Sequence, residues 1–177
     1  MITAIVTVFR EASGNVYGRD GMRPLPICRR DSRRTNLREK TNYKSKKASD
    51  LAANKKASLL FFWPDLQRQV RIEGTIEKLP EHESDEYFSQ RPFESQVGAW
   101  VSAQSQVIEG REALEKSFEQ QLKKYEGTKV PRPAHWGGYV LLPFQFEFWQ
   151  GRSSRLHDRL RYRPGAKKNW IIERLMP

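Results

Sequence analysis

Apolar and polar positions change period several times along the chain, and each period predicts an element. Ile2 to Phe9 reads as a possible strand. Gly14, Gly18, Gly21, Pro24 and Pro26 then interrupt any pattern, and Cys28 to Lys40 has almost no apolar residue with which to pack. Order is expected from Thr41 onward. Lys44 to Asn54 predicts a short helix, and the apolar run Ala57 to Trp63 a buried strand. From Gln69 to Leu79, Val70, Ile72 and Ile76 alternate with Gln69, Arg71, Glu73, Thr75 and Glu77, which predicts a strand with one core face and one wet face. Between Glu81 and Gly127 the period turns helical, with Ser84 as a candidate cap and Pro92 separating two short helices. A third helix is predicted over Glu109 to Tyr125, where Leu114, Phe118, Leu122 and Tyr125 form one stripe. Glu112/Lys116 and Glu119/Lys123 are its i,i+4 pairs, and Gly127 its stop. Strands return at Gly138 to Leu142, at Phe144, Phe146 and Phe148 alternating with Gln145, Glu147 and Trp149, at Leu156 to Arg163 and at Asn169 to Leu175. Pro164 to Lys168 has the composition of a hairpin turn. Strands, inserted helices and strands again predict a mainly β (α+β) fold, an antiparallel sheet or barrel with helices packed outside it.

Charge changes this picture at one end. Residues 1–56 hold 14 Lys/Arg against 5 Asp/Glu, most of the surplus behind the chain's net charge of +11. Such a block can meet nucleic acid, anionic lipid or a phosphate-bearing ligand, or can be a solvated basic arm. No apolar run approaches the roughly 20 residues of a membrane span. Met1 to Phe9 lacks the basic lead-in of a signal peptide. One cysteine, Cys28, excludes an intramolecular disulfide and a cysteine-cluster zinc site, and points to a reducing, cytoplasmic setting. The three histidines are too scattered for a metal motif, and neither GxGxxG, a P-loop nor GxSxG occurs, which disfavours metal, Rossmann, nucleotide-hydrolase and nucleophilic-hydrolase chemistry.

Three clusters carry candidate chemistry. Read as a strand, Arg155, His157 and Arg159 project from one face and Leu156, Asp158 and Leu160 from the other. Two guanidinium groups flanking an imidazole suit an anion or an electron-rich ring; an exposed polar edge would have the same spacing. Lys44, Ser45, Lys46 and Lys47 open a predicted helix, where ammonium groups and the helix dipole can meet a phosphate or only solvent. Tyr87, Arg91 and Ser95, at i, i+4 and i+8 about Pro92, can converge on an anion or merely cap a helix end.

The segments Phe148-Trp-Gln-Gly-Arg-Ser-Ser-Arg-Leu-His-Asp-Arg159, Pro133-Ala-His-Trp-Gly-Gly138 and Glu173-Arg-Leu-Met-Pro177 resemble the pyridoxamine (pyridoxine) 5'-phosphate oxidase family. Arg68-Gln-Val-Arg71, Tyr87-Phe-Ser-Gln-Arg-Pro92 and Ser95-Gln-Val-Gly-Ala-Trp-Val-Ser-Ala-Gln-Ser105 agree with it in order and spacing. The resemblance runs from about Thr41 to Pro177 and implies an FMN-binding split β-barrel domain over residues 41–177. It implies a homodimer with FMN across the interface, no metal, and no nucleic-acid or membrane partner. The implied reaction oxidises pyridoxamine or pyridoxine 5'-phosphate to pyridoxal 5'-phosphate, with O2 as electron acceptor and H2O2 as product. By the same resemblance Thr41, Lys46, Lys47, Gln69, Gln104, Ser105, Trp149 and Arg159 hold the flavin. Tyr87, Arg91 and Ser95 hold the substrate phosphate, and Arg155 and His157 lie over its ring as the catalytic pair. Residues 1–40 depart from the family: Leu25-Pro-Ile-Cys-Arg-Arg30 stands where a barrel strand is expected, and Lys40-Thr-Asn42 keeps only the Thr and Asn. The first barrel strands are therefore expected to be disrupted, with a basic segment in their place. The alternative implied is an impaired relative that binds FMN or pyridoxal phosphate without turnover.

Overall fold

The computed structural model describes residues 4–10, 16–17, 37–166 and 169–177, with side chains from residue 37 onward. The Leu25–Arg30 stretch, Cys28 and the Lys167–Lys168 part of the expected turn lie outside the described residues.

Strand β1 covers Ala4–Arg10 and β2 Val16–Tyr17, paired antiparallel. Strand β3 covers Leu37–Asn42, starting four residues before the Thr41 from which order was expected. Sparse apolar content argued against an element here, but a strand needs only backbone partners, and β3 finds them on β6, Trp136–Gln150. Helix α1 (Lys46–Ala53) and strand β4 (Lys56–Trp63) follow as the pattern predicts. Strand β5 spans Arg68–Lys78 and pairs antiparallel with β4, while β4 pairs parallel with β1. Strands β7 (Asp158–Pro164) and β8 (Trp170–Arg174) extend the sheet to the order β2-β1-β4-β5-β6-β7-β8. This described sheet is open and mainly antiparallel.

Further readings are corrected. Ser84 is not a cap: α2 runs Glu81–Ser89 behind Pro80, whose fixed φ suits the preceding position, and Ser84 sits inside the helix at 1% exposure. The two C-terminal strand segments proposed around Pro143 are one fifteen-residue strand, β6. The strand expected from Leu156 starts only at Asp158, because Ser153–Arg155 form a 3-10 turn with left-handed φ values of 56° at Ser154 and 61° at Arg155.

The chain forms two compact units. One comprises Ala53–Glu77, Val140–Pro177 and the described parts of Met1–Glu39. Ala57, Ile72 and Leu141 are among its buried residues. On the expected wet face of β5, Thr75 and Glu77 are exposed, whereas Glu73 retains only 14% side-chain exposure, paired with Arg71. The other unit comprises Lys40–Ala52 and Lys78–Tyr139, and contains α3 (Phe93–Val101) and α4 (Arg111–Tyr125). Its core gathers Phe88, Val97, Tyr125, Val130 and Trp136, with Phe118 and Leu122 of the predicted stripe packed against them. Leu114, at the other end of that stripe, stays exposed. The i,i+4 ion pair of α4 is Arg111–Glu115 at 2.6 Å rather than the two expected pairs, and Gly127 ends the helix region at φ 68°.

Candidate functional site

In the helical unit, the kink between α2 and α3 brings two predicted residues onto one indole. The Tyr87 ring stacks on Trp136 with centroids 6.1 Å apart and planes 10° apart, and the Arg91 guanidinium lies 5.0 Å over the same ring. Arg91 Nη1 is buried and meets no hydrogen-bond acceptor. Burial holds this guanidinium below its ordinary pKa, against a smaller opposing influence of Tyr87. Ser95 lies in the first turn of α3, half-buried, behind the Pro92 N-cap. A buried cationic donor without an acceptor, at a helix start, fits an oxyanion.

Thr41, the last but one residue of β3, is 6% exposed, and its hydroxyl has no partner. The next residue, Asn42, donates from Nδ2 to the Ser102 carbonyl at 2.9 Å and accepts from the Lys44 N–H at 2.8 Å. It thereby ties the start of α1 to the loop that carries Gln104 and Ser105. Both of those are exposed, Ser105 with a left-handed φ of 70°. Ser45 caps α1 by accepting the Ala48 N–H at 3.2 Å. Lys46 is largely exposed and pairs with Asp50 at 3.2 Å; Lys47 is half-buried.

In the sheet unit, a cavity of about 560 Å³ is lined by Trp63, Gln69, Trp149, Arg152, Asp158 and Arg174, among others. Gln69 of β5 sits opposite Phe62, and Trp149 of β6 opposite Arg159 of β7. His157 rests against Trp149 with ring centroids 4.8 Å apart, and its Nδ1 accepts the Arg152 N–H at 3.1 Å, which in the neutral ring leaves the proton on Nε2. Asp158 accepts from Arg152 at 2.7 Å and from Arg174 at 2.5 Å, and these bonds hold its carboxyl below the usual range.

The expected row of Arg155, His157 and Arg159 on one strand face is not formed. Arg155 is exposed in the left-handed turn, His157 precedes the strand, and Arg159 alone lies within it. Arg159 is already engaged with Glu147 and the Met176 carbonyl. Spacing missed Glu147, a polar position of β6 that is 5% exposed, and Trp136, on which Tyr87 and Arg91 both rest. A carboxylate between Phe146 and Phe148, with arginines on the neighbouring strands β5 and β7, was the available signal for the first.

A family model described as pyridoxamine 5'-phosphate oxidase matches residues 4–124. A second, described as the pyridoxine 5'-phosphate oxidase C-terminal dimerisation region, matches residues 136–177. The curated pyridoxine/pyridoxamine 5'-phosphate oxidase of Bordetella avium is 59% identical over 137 residues, covering 77% of this chain and 64% of that protein. The corresponding Microcystis aeruginosa protein is 56% identical over the same shares. The chain thus spans 64% of the length of these curated relatives. Among solved structures, PhzG from Burkholderia lata, in complex with tetrahydrophenazine-1-carboxylic acid, superposes with TM-score 0.76 at 29% identity, covering 96% of this chain and 80% of that one. An FMN-binding, pyridoxamine 5'-phosphate oxidase-related protein from Nostoc punctiforme gives TM-score 0.66 at 15% identity, covering 96% of this chain and 86% of that one, a likeness of fold. The expected split-barrel class, mainly β with helices, agrees with these likenesses.

Proposed function

Because the chain belongs to the pyridoxamine 5'-phosphate oxidase family, we propose that it oxidises pyridoxamine or pyridoxine 5'-phosphate to pyridoxal 5'-phosphate with FMN and O2. The observation that carries this reading is the Tyr87–Trp136–Arg91 assembly, whose buried Nη1 lacks an acceptor that a substrate phosphate would supply. The unpartnered Thr41 hydroxyl fits a flavin phosphate in the same way.

We place the oxidase domain at residues 41–177, in a cytoplasmic homodimer with FMN across its interface. Thr41, Lys46 and Lys47 hold the flavin at its phosphate end, and Gln69, Gln104, Ser105, Trp149 and Arg159 complete its site. When bound, the flavin supplies the two-electron redox chemistry that couples oxidation of the substrate carbon to reduction of O2 to H2O2. The protein's residues orient. Arg91 and Tyr87 anchor the phosphate, Ser95 and the α3 N-terminus add donors and dipole, and the indole of Trp136 keeps water from the guanidinium face. Arg155, exposed and held left-handed, and His157, fixed by the Arg152 N–H, cover the pyridine ring, with the Nε2 proton available to a substrate oxygen or nitrogen. Fixing a substrate at both ends lowers the barrier chiefly through orientation.

Dimerisation is supported by the apolar face of β6, β7 and β8, where Phe148 is 42%, Trp170 39% and Ile172 57% exposed in the single chain. No helix among the described residues is long and apolar enough to cross a membrane.

The test is a preparation loaded with FMN and desalted. It should stay yellow and, under air, form pyridoxal 5'-phosphate and peroxide from pyridoxamine 5'-phosphate. Flavin retained without peroxide selects the binding-only relative, and loss of flavin on desalting overturns both readings.

A further inference from the structure

Glu147 lies on β6 between two phenylalanines at 5% exposure, and different guanidinium groups take its two oxygens. Arg71 Nη2 donates to Oε2 at 2.7 Å. Arg159 donates to Oε1 from Nε at 3.0 Å and pairs with it through Nη2 at 2.9 Å. Arg159 Nη1 donates in turn to the Met176 carbonyl at 3.0 Å. A carboxylate buried this deeply persists only when paired, and a guanidinium fork fixes direction as well as charge. Two N–H donors of Arg159 are therefore committed to hydrogen bonds within the protein and its Nη2 lies against Glu147 as an ion pair, which leaves further N–H groups for a ligand. The register sets Arg159 opposite Trp149, and Glu147 lies two residues back on the same face of β6. The direction of the remaining donors, beside the indole, is thus decided by Glu147.

We propose that Glu147 is a positioning residue for the flavin site, holding Arg159 so that its uncommitted N–H groups face the cofactor. The proposal rests on the reading that Arg159 contacts FMN, and adds that the contact depends on the carboxylate behind it. Arg71 is the built-in control. It shares Glu147 and is itself paired with Glu73 at 3.3 Å, yet its removal leaves the Glu147–Arg159 clamp in place.

The experiment titrates apoprotein with FMN, following quenching of flavin fluorescence, and records exchange of the Arg159 Nε–H by 15N NMR before any flavin is added. Glu147→Gln and Glu147→Asp should each weaken FMN binding about tenfold and speed Nε–H exchange. The aspartate fails because it keeps the charge but withdraws the carboxylate by one methylene. Arg71→Met should lower the melting temperature while leaving FMN affinity within about twofold. Full affinity in Glu147→Asp would mean mere charge balance and overturn the proposal. So would unchanged affinity in Glu147→Gln alongside weakened binding in Arg159→Ala, a result that leaves the flavin contact of Arg159 standing. If Arg159→Ala itself binds FMN normally, both ideas fall. Should Glu147→Gln fail to fold, Glu147→Asp, which keeps the buried charge paired, decides the matter with the same two readouts.

Discussion

Arg91 shows how one side chain can work against the fold and for a ligand. Its guanidinium is drawn from water over the Phe88 and Trp136 rings, 5.9 and 5.0 Å away, while Nη1 finds no acceptor, so the unliganded protein carries an unrepaid desolvation cost. On the proposed function, a substrate phosphate oxygen would offset it with a charge-assisted bond worth about 1.5–3 kcal/mol, or roughly a factor of 10–100 in affinity. Arg91→Met should therefore raise KM for pyridoxamine 5'-phosphate by about 10–100-fold, with flavin retention unchanged and a melting temperature no lower than the parent's. Steady-state kinetics beside a thermal melt check this; a lowered melting temperature with unchanged KM would make Arg91 a structural residue. The i, i+4, i+8 spacing made Tyr87, Arg91 and Ser95 legible as a group. It could not reveal Trp136, more than forty positions along the chain, because stacking between distant segments leaves no periodic trace.

Strands were legible where one face is apolar, as in β5 and β6, because period two reports burial directly, and β4 was legible as a continuous apolar run. The start of β7 was misread because Arg155-Leu156-His157 alternates as a strand would, while φ values of 56° and 61° at Ser154 and Arg155, unreadable from composition without a glycine, turn the backbone first. Packing between strands gives a sharper expectation at Gly74 of β5. A Cβ there would stand 2.5 Å from the Leu142 carbonyl oxygen and 2.9 Å from the Leu141 side chain, closer than atoms pack. Gly74→Ala should cost about 1–3 kcal/mol, measured by denaturant unfolding; a neutral result would mean that β5 and β6 part easily. The β7–β8 pair carries a pH signature as well. Bonds from Arg163 and Arg161 pull the Glu173 carboxyl from 4.5 to about 2. A carboxyl lowered on folding adds stability above its unfolded pKa and loses it as the pH falls through the folded value. Glu173→Gln should thus melt below the parent near pH 6, and the gap should close between pH 4.5 and about 2. The carboxylate keeps 29% side-chain exposure, so salt should shrink the gap too.

At the scale of the molecule, one apolar surface has no cover within its own sheet. Cross-strand register sets Phe146, Tyr162 and Ile172 in one row and Phe148, Leu160 and Arg174 in the next, with Trp170 opposite Pro164 beyond them. These residues share a face because neighbours in register point the same way, and the opposite face takes the charged set of Glu147, Arg159, Arg161 and Glu173. Alternation of Phe144, Phe146 and Phe148 with Gln145, Glu147 and Trp149 showed that β6 has two unlike faces but not which would be covered. Phe144 at 37% and Ile172 at 57% exposure are instead what a second copy would cover. The face falls within the region matched as the dimerisation region, residues 136–177. In a two-fold dimer each substitution counts twice. Ile172→Asp should then forfeit about 3–6 kcal/mol across the pair, weakening association by roughly two to four decades. Sedimentation velocity at micromolar concentration should move from twice 20.8 kDa in the parent to 20.8 kDa in the variant. Flavin retention should fall with it, because the proposed FMN site spans two copies. A variant that stays dimeric would move the interface elsewhere on the chain, and one that becomes monomeric yet keeps its flavin would confine the cofactor site to a single copy.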